Sequence, residues 1–567
     1  MDTVQSFKGY GKVDPNEQVD FQRKTRKRII IISISTLLLL ALVIGIVAGT
    51  IAHNKNSNNS GHSPATPNSA AIKSICAVTQ YPESCATSLK SSNSTNPEKI
   101  FELSLMVVLS SLENISTFPG EYRDKTEDLL VKEALNVCES VLNDAVETLN
   151  DTISALHENK YFQSKFDDLK TWLSTVVTDQ ETCSDALEEA NATFAGEVRL
   201  LMKNSTEFAS NSLAIVSRII GAVGDFKIPV HLRRLLGSSE SGFPMWVDRR
   251  VLQETEAVKV DVTVAKDGTG DVRTVGEAVA RVPKKSKTRF VIHVKAGEYV
   301  ENIVLEKAYW NVMIYGDGKN ATIISGSKNF VDGTPTFSTA TFAVAGKGFI
   351  ARDIGFKNTA GPTKHQAVAF RSGSDQSVFY RCSFDAFQDT LYAHSNRQFY
   401  RECDITGTID FIFGNSVVVF QNCNILPRQP LPNQFVTITA QGKKDPNQNT
   451  GISIQRCTMS PLDNLTAQTY LGRPWKDYST TVIMGTNIGG FLNAKGWISW
   501  VSNVDPPKSI MYAEYQNTGP GANTGSRVTW AGYRPSITAA EASKYNVDSF
   551  IEGHSWLPVT NVKFDSN

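Results

Sequence analysis

Between about residues 71 and 222, apolar side chains recur every three or four positions. Leu130, Ala134, Val137, Val141, Ala145 and Leu149 form one such row, and Phe162, Phe166, Leu169, Leu173 and Val176 form another. That spacing puts each row on one face of a helix. Only Pro82, Pro97 and Pro119 interrupt the region, so the pattern predicts a bundle of about four helices. After residue 260 the pattern becomes short β-branched and aromatic runs punctuated by Gly, Asn and Asp, as at 290–294, 312–315, 349–356 and 417–420. A β-sandwich would read similarly, so a repeat has to discriminate. Tyr380, Tyr400 and Phe420 are 20 apart, Arg381, Arg401 and Gln421 follow them, and Cys382, Cys403 and Cys423 come just after. Such a period suits a right-handed parallel β-helix, whose coils place equivalent residues above one another. The fold class is therefore multidomain: an all-α four-helix bundle followed by an all-β right-handed parallel β-helix.

A third pattern precedes both. Residues 29–51 are 23 consecutive uncharged positions, which as a helix span about 35 Å, enough to cross a bilayer core. Arg23, Lys24, Arg26, Lys27 and Arg28 lie before it and Lys55 after it, which places the N-terminus in the cytosol. A cleaved signal peptide is the rival reading, but its apolar region is shorter, so a signal anchor is favoured. Both readings send the chain into the secretory pathway as a precursor, here a membrane-anchored one. Residues 53–70 have linker composition. The resulting organisation is a cytosolic tail 1–28, anchor 29–51, linker 52–70, helical domain 71–222, second linker 223–260, β-helix 261–558 and C-terminal tail 559–567.

The 567-residue chain balances 57 Lys and Arg against 57 Asp and Glu, which argues against a generally basic nucleic-acid binder. The balance is an average. Residues 71–225 carry 12 basic and 24 acidic side chains, whereas 261–567 carry 31 and 25. Read from composition alone, the acidic excess is a set of solvated helix faces, while its sign, opposite to that of 261–567, would favour docking of the first unit onto the second. The eight cysteines divide evenly, with Cys76, Cys85, Cys138 and Cys183 in the first unit and Cys382, Cys403, Cys423 and Cys457 in the second. Closed disulfide sets within each unit suit an oxidising compartment. For the second unit, Cys403 with Cys423 and Cys382 with Cys403 both satisfy a one-coil spacing, and the first is preferred because it brackets the coil that carries Asp410. No CxxC pair argues for zinc. Sequons at Asn58, Asn93, Asn114, Asn150, Asn191, Asn204, Asn320 and Asn464 agree with a glycosylated, secreted chain.

Four polar residues fall nearly on the coil repeat: Gln366, then Gln388 and Asp389, then Asp410. Coils stacked roughly 4.8 Å apart would bring these two carboxylates and two amides onto one surface. Aromatic neighbours (Phe384, Phe387, Tyr392, Phe411, Phe413) flank them. Desolvation and a nearby like charge raise one carboxylate's pKa while the other stays ionised, as an acid and a nucleophile require. A lone Asp in a turn-rich protein is ordinarily a turn residue, but two Asp and two Gln at matching intervals are a stronger signal.

These residues also carry a resemblance. Gly361-Pro-Thr-Lys-His-Gln366-Ala-Val-Ala369, Gln388-Asp389-Thr-Leu-Tyr392, Gly407-Thr-Ile-Asp410-Phe-Ile-Phe-Gly-Asn415 and Leu471-Gly-Arg473-Pro-Trp475 resemble, in order, the motif blocks of plant pectin methylesterases. Residues 71–222 resemble the pectin methylesterase inhibitor domain. The resemblance implies hydrolysis of the C6 methyl ester of homogalacturonan to pectate and methanol in the extracellular cell wall. By position it implies Asp410 as nucleophile, Asp389 as general acid then base, and Gln366 and Gln388 as oxyanion donors. It implies substrate contacts from Thr336, Gln366, Arg473 and Trp475, with no metal and no cofactor. Phe387 stands where relatives commonly have Tyr.

Arg233-Arg234 and Arg249-Arg250 lie in the second linker, where exposed chain invites cutting. Similar basic sites in the family imply a subtilisin-type processing protease that frees a monomeric enzyme from its pro-region. Other implied partners are the inhibitor-like domain in cis or inhibitor proteins in trans. The alternatives are a non-catalytic pectin-binding or inhibitory β-helix protein and another pectin-active β-helix enzyme, such as a lyase needing a calcium-binding carboxylate cluster or a glycosidase.

Overall fold

The structure, a computed structural model, describes residues 67–158, 166–220 and 259–566. The expected anchor at 29–51, Phe162, Asn58 and the arginine pairs at 233–234 and 249–250 lie outside the described residues.

The first unit consists of helices α1 (Pro67–Cys76), α2 (Pro82–Ser88), α3 (Pro97–Ile115), α4 (Phe118–Arg123), α5 (Leu129–Glu158), α6 (Phe166–Glu189) and α7 (Ala195–Ile215). The four long ones, α3, α5, α6 and α7, make the bundle read from the 3.6-residue period. Ala134, Ala145 and Leu149 of the first row and Leu169, Leu173 and Val176 of the second are wholly buried in its core. Pro97 opens α3, and Asn96 caps it by accepting the Glu98 N–H at 2.8 Å. Disulfides join Cys76 to Cys85 and Cys138 to Cys183.

The second unit is a stack of coils whose strands pair in parallel into sheets of 11, 7 and 8 strands. In all three, the strand order skips through the sequence as each coil adds one strand to each wall. The interior is an aromatic column: Phe379 stacks on Tyr400 at 4.4 Å and Tyr400 on Phe420 at 4.6 Å. That column corrects the expected register by one residue. Tyr380 pairs with Arg401, not with Tyr400, so it faces outward against the Arg381 guanidinium, 4.6 Å away. The coil from 380 to 401 is 21 residues long and the next one 20.

Cys382, Cys403, Cys423 and Cys457 are buried free thiols, where bridges were expected. They occupy one inward position on four successive coils, as the pairings of 380 with 401, 401 with 421 and 421 with 455 require. Each inner sulfur therefore has two equivalent neighbours, and spacing selects no pair. Their thiols donate instead to main-chain carbonyls, Cys403 to Phe379 and Arg401 at 3.4 Å. The C-terminal segment also departs from a free tail. Val547, Ile551, Trp556, Leu557 and Val562 cover Val378, Phe399, Val417 and Val419 on the outside of the 11-stranded sheet, and Asp565 pairs with Arg401 and Arg456 at 3.0 Å.

Candidate active site

The site lies on the 7-stranded sheet, at the turns that lead into its strands. Leu391 pairs with Ile412, so Asp389 and Asp410, each two residues upstream, occupy the same place on adjacent coils. Gln388, next to Asp389, forms a parallel bridge with Gln366 on the coil below. The four residues singled out by spacing are thus brought together. Asp389 and Asp410 both have left-handed backbones, φ 62° and 51°. Glycine would adopt this at less cost, so aspartate at both positions ties the strained turn to the carboxylate it carries.

Environment separates the two acids. Asp410, 5% exposed, is gripped by Arg473: Nε lies 2.9 Å from Oδ1 and an Nη 2.6 Å from Oδ2. Thr437 donates its hydroxyl to Oδ1 at 2.6 Å and accepts the Asp410 N–H at 2.9 Å. A bidentate guanidinium fixes both the orientation of this carboxylate and its counter-charge. Asp389, 8% exposed, has no such partner. Burial, then the charges of Asp410 and Glu189, push its carboxyl well above the usual carboxylate range, with Arg473 acting in opposition. One acid is clamped by a guanidinium and the other favours its proton.

A cavity of about 340 Å³ opens over the pair, lined among others by Thr336, Gln366, Gln388, Tyr392, Trp475 and Trp500. Its apolar wall is a run of rings: Tyr392 on Phe413 at 4.2 Å, Phe413 to Trp475 at 6.2 Å, and Trp475 on Trp500 at 6.3 Å. Trp500, 39% exposed and under the Arg473 guanidinium at 4.2 Å, was missed from the sequence. It lies in an irregular loop with no motif around it. Phe387 packs beneath the Arg428 guanidinium at 3.9 Å, a contact that needs the ring but no hydroxyl. Among the described residues no group of three His, Cys, Asp or Glu is placed to hold a metal ion.

The other half of the cavity is made by α6. Its apolar row faces the bundle, while Trp172, Thr175, Thr178, Thr182, Asp185 and Glu189, spaced by three or four, face the β-helix. Trp172 donates to Asp375 at 3.1 Å, Thr175 to Asn396 at 2.9 Å, and Thr178 accepts from Asn415 at 2.9 Å. Lys476 pairs with Glu181 at 3.0 Å and with Asp185. At the end of the row, Glu189 accepts the Thr336 N–H at 3.0 Å and the Thr336 hydroxyl, with the Gln366 amide 3.4 Å away. Burial raises the pKa of Glu189, Asp185 and Asp144, and raises that of Asp179 well above normal. Part of the acidic excess is therefore buried against the β-helix, which corrects its reading as solvated helix faces and agrees with docking between units of opposite sign. The signal was present in the Thr171, Thr175, Thr178, Thr182 spacing, a polar row too uncharged for a solvated face.

Residues 261–554 match the family model for pectinesterase, and residues 70–215 match that for the plant invertase/pectin methylesterase inhibitor. The chain is 57% identical to pectinesterase 3 of Phaseolus vulgaris, with all of both chains covered. It is 58% identical to pectinesterase 1 of Arabidopsis thaliana, with 99% of each covered. A solved pectin methylesterase from carrot is 52% identical and superposes with a TM-score of 0.54, covering 55% of this chain and 100% of that one.

Proposed function

Because the chain belongs to the pectinesterase family, we propose that its β-helix half hydrolyses methyl esters of homogalacturonan and that Asp410 and Asp389 carry the reaction. The observation that supports this most strongly is the asymmetry of the pair: Asp410 held by Arg473, and Asp389 raised by burial and by its neighbour. Asp410 attacks the C6 carbonyl, and the Gln366 and Gln388 amides donate to the resulting oxyanion. Collapse expels methoxide, which leaves as methanol with the Asp389 proton, and an anhydride joins Asp410 to the sugar. Asp389, now a carboxylate, takes a proton from water, and the hydroxide attacks the acyl carbon. Galacturonate departs, Asp410 is regenerated, and Asp389 holds its proton again. Thr336 and Arg473 orient the substrate, and Trp475 packs against a sugar ring.

The helical half acts as a pro-region. With Glu189 on Thr336 and α6 along the cleft, the uncut chain is closed to a polymer. The precursor enters the secretory pathway, is anchored by residues 29–51 and glycosylated, and is cut at Arg233-Arg234 or Arg249-Arg250 by a subtilisin-type protease. The released monomer works on pectin in the cell wall. Methanol release from esterified pectin by residues 259–567 tests the chemistry. Activity is expected for the unaltered sequence and should be absent from Asp410→Asn; a mutant that still releases methanol at the parent rate overturns the mechanism. If both arginine pairs are replaced and a fragment beginning near residue 253 still appears, the processing assignment is wrong.

A further inference from the structure

Away from the cleft, three successive coils of the β-helix end in a corner with an unusual arrangement of charge. Trp310 sits in the middle coil, its indole N–H donating to the Lys307 carbonyl at 2.8 Å. The ammonium of Lys347, on the coil after it, lies 3.9 Å from the indole centroid, and that of Lys285, on the coil before it, lies 5.7 Å away. Main-chain bonds hold the three turns in a stack: Lys285 N–H to Ala308 O at 2.7 Å and Asn311 N–H to Lys347 O at 2.8 Å. Lys284, over the Tyr309 ring, and Lys287 add two more exposed ammonium groups. Glu306 is the acid that the β-helix itself brings to this corner, and no ion pair joins it to these lysines among the described residues.

Helix α5 shows what the corner attracts. Glu147 pairs with Lys285 at 3.0 Å, and the Asp144 carbonyl and Thr148 hydroxyl accept from Lys307. In the precursor a carboxylate and two oxygen acceptors occupy Lys285 and Lys307, and loss of the bundle would free both ammonium groups. Lys285 and Lys347 are two coil steps apart, about 10 Å, a spacing that an extended polysaccharide with one carboxylate per sugar can match. An indole that gathers two ammonium groups over its π-system keeps them close without an acid of the β-helix paired to either.

We propose that the Lys285, Trp310 and Lys347 corner is a second, non-catalytic binding site for de-esterified galacturonan, freed of Glu147 when the pro-region leaves. The proposal rests on the esterase reading, since such a polyanion is that reaction's product. The site would keep the enzyme on a chain that it has already begun to strip.

The test uses residues 259–567, the half that corresponds to the whole carrot structure, in an Asp410→Asn background so that no turnover occurs. Binding of unesterified oligogalacturonate is measured by calorimetry for Lys285→Gln/Lys347→Gln and for a charge-matched pair, Lys544→Gln/Lys563→Gln. The corner pair should weaken binding about three- to tenfold, as two exposed charge contacts allow, and the control pair should not. Oligogalacturonate should also protect Lys285 and Lys347, but not Lys544 or Lys563, from acetylation in the unsubstituted chain. That readout is unaffected by any folding defect in the variants. Equal loss in both pairs, absent protection, or equally tight binding of polyglutamate overturns the site. If the parent sequence with Asp410 intact releases no methanol, it is the esterase reading that fails.

Discussion

Glu189→Ala removes the side chain that closes the cleft. In the uncut chain the Glu189 carboxylate accepts the Thr336 N–H at 3.0 Å and the Thr336 hydroxyl. Hydrogen bonds to a charged group are worth about 1.5–3 kcal/mol each. Burial opposes them, as the upward shift of the Glu189 pKa records, so the net contribution to docking is about 1–3 kcal/mol. If the uncut chain works only while its pro-region is undocked, its rate follows the open fraction, and Glu189→Ala raises that rate about 5- to 150-fold. The assay is methanol release by the full chain with both linker arginine pairs replaced, against an Asp410→Asn baseline. An unchanged residual rate, with Glu189→Ala still folded and uncut, would refute the closure argument.

Three other outcomes are expected. Gln388→Ala should lower kcat about a hundredfold with little change in KM, since an oxyanion donor acts mainly in the transition state; a pure KM effect would contradict the assignment. Trp500→Ala should raise KM for pectin about fivefold, the scale of one stacking contact, and steady-state kinetics on the cut enzyme would expose an error if kcat fell instead. Glu552, beside Arg397, has its pKa raised from 4.5 to about 7 by burial and by Asp167, Asp168 and Asp375. The folded chain thus holds this proton more tightly than the unfolded chain, so stability should fall by about 2–3 kcal/mol as pH rises from near 4.5 to 7. Denaturant unfolding should show that slope reduced in Glu552→Gln, and an identical slope would show that the group is uninvolved.

The two periodicities carried the architecture because both arise from local geometry: a helix row at Leu169, Leu173 and Val176, and a coil repeat through Cys403 and Cys423. The candidate site was legible for the same reason, since one coil of spacing places Asp389 beside Asp410. The repeat failed at Tyr380, where a single extra residue in the coil shifts the inward position to Phe379 while leaving the cysteines in step. Arg473 lies 63 residues from Asp410, and its grip depends on three-dimensional stacking that only a motif could signal. Opposite charge suggested that the two units dock, but Glu189 and Asp185 were hidden because a charge count does not say which acids meet protein and which face water.

The Cys138–Cys183 bridge has one more consequence. It joins α5 to α6, the helix that meets Lys285 and Lys307 to the helix that meets Thr336 and Lys476. The docking face is therefore a single pre-assembled piece, and little conformational freedom remains to be lost when it seats. Such a piece does not depend on the linker for its shape. Severed from the β-helix, it would keep the complementary contour, and with it the capacity to find the same cleft on another molecule.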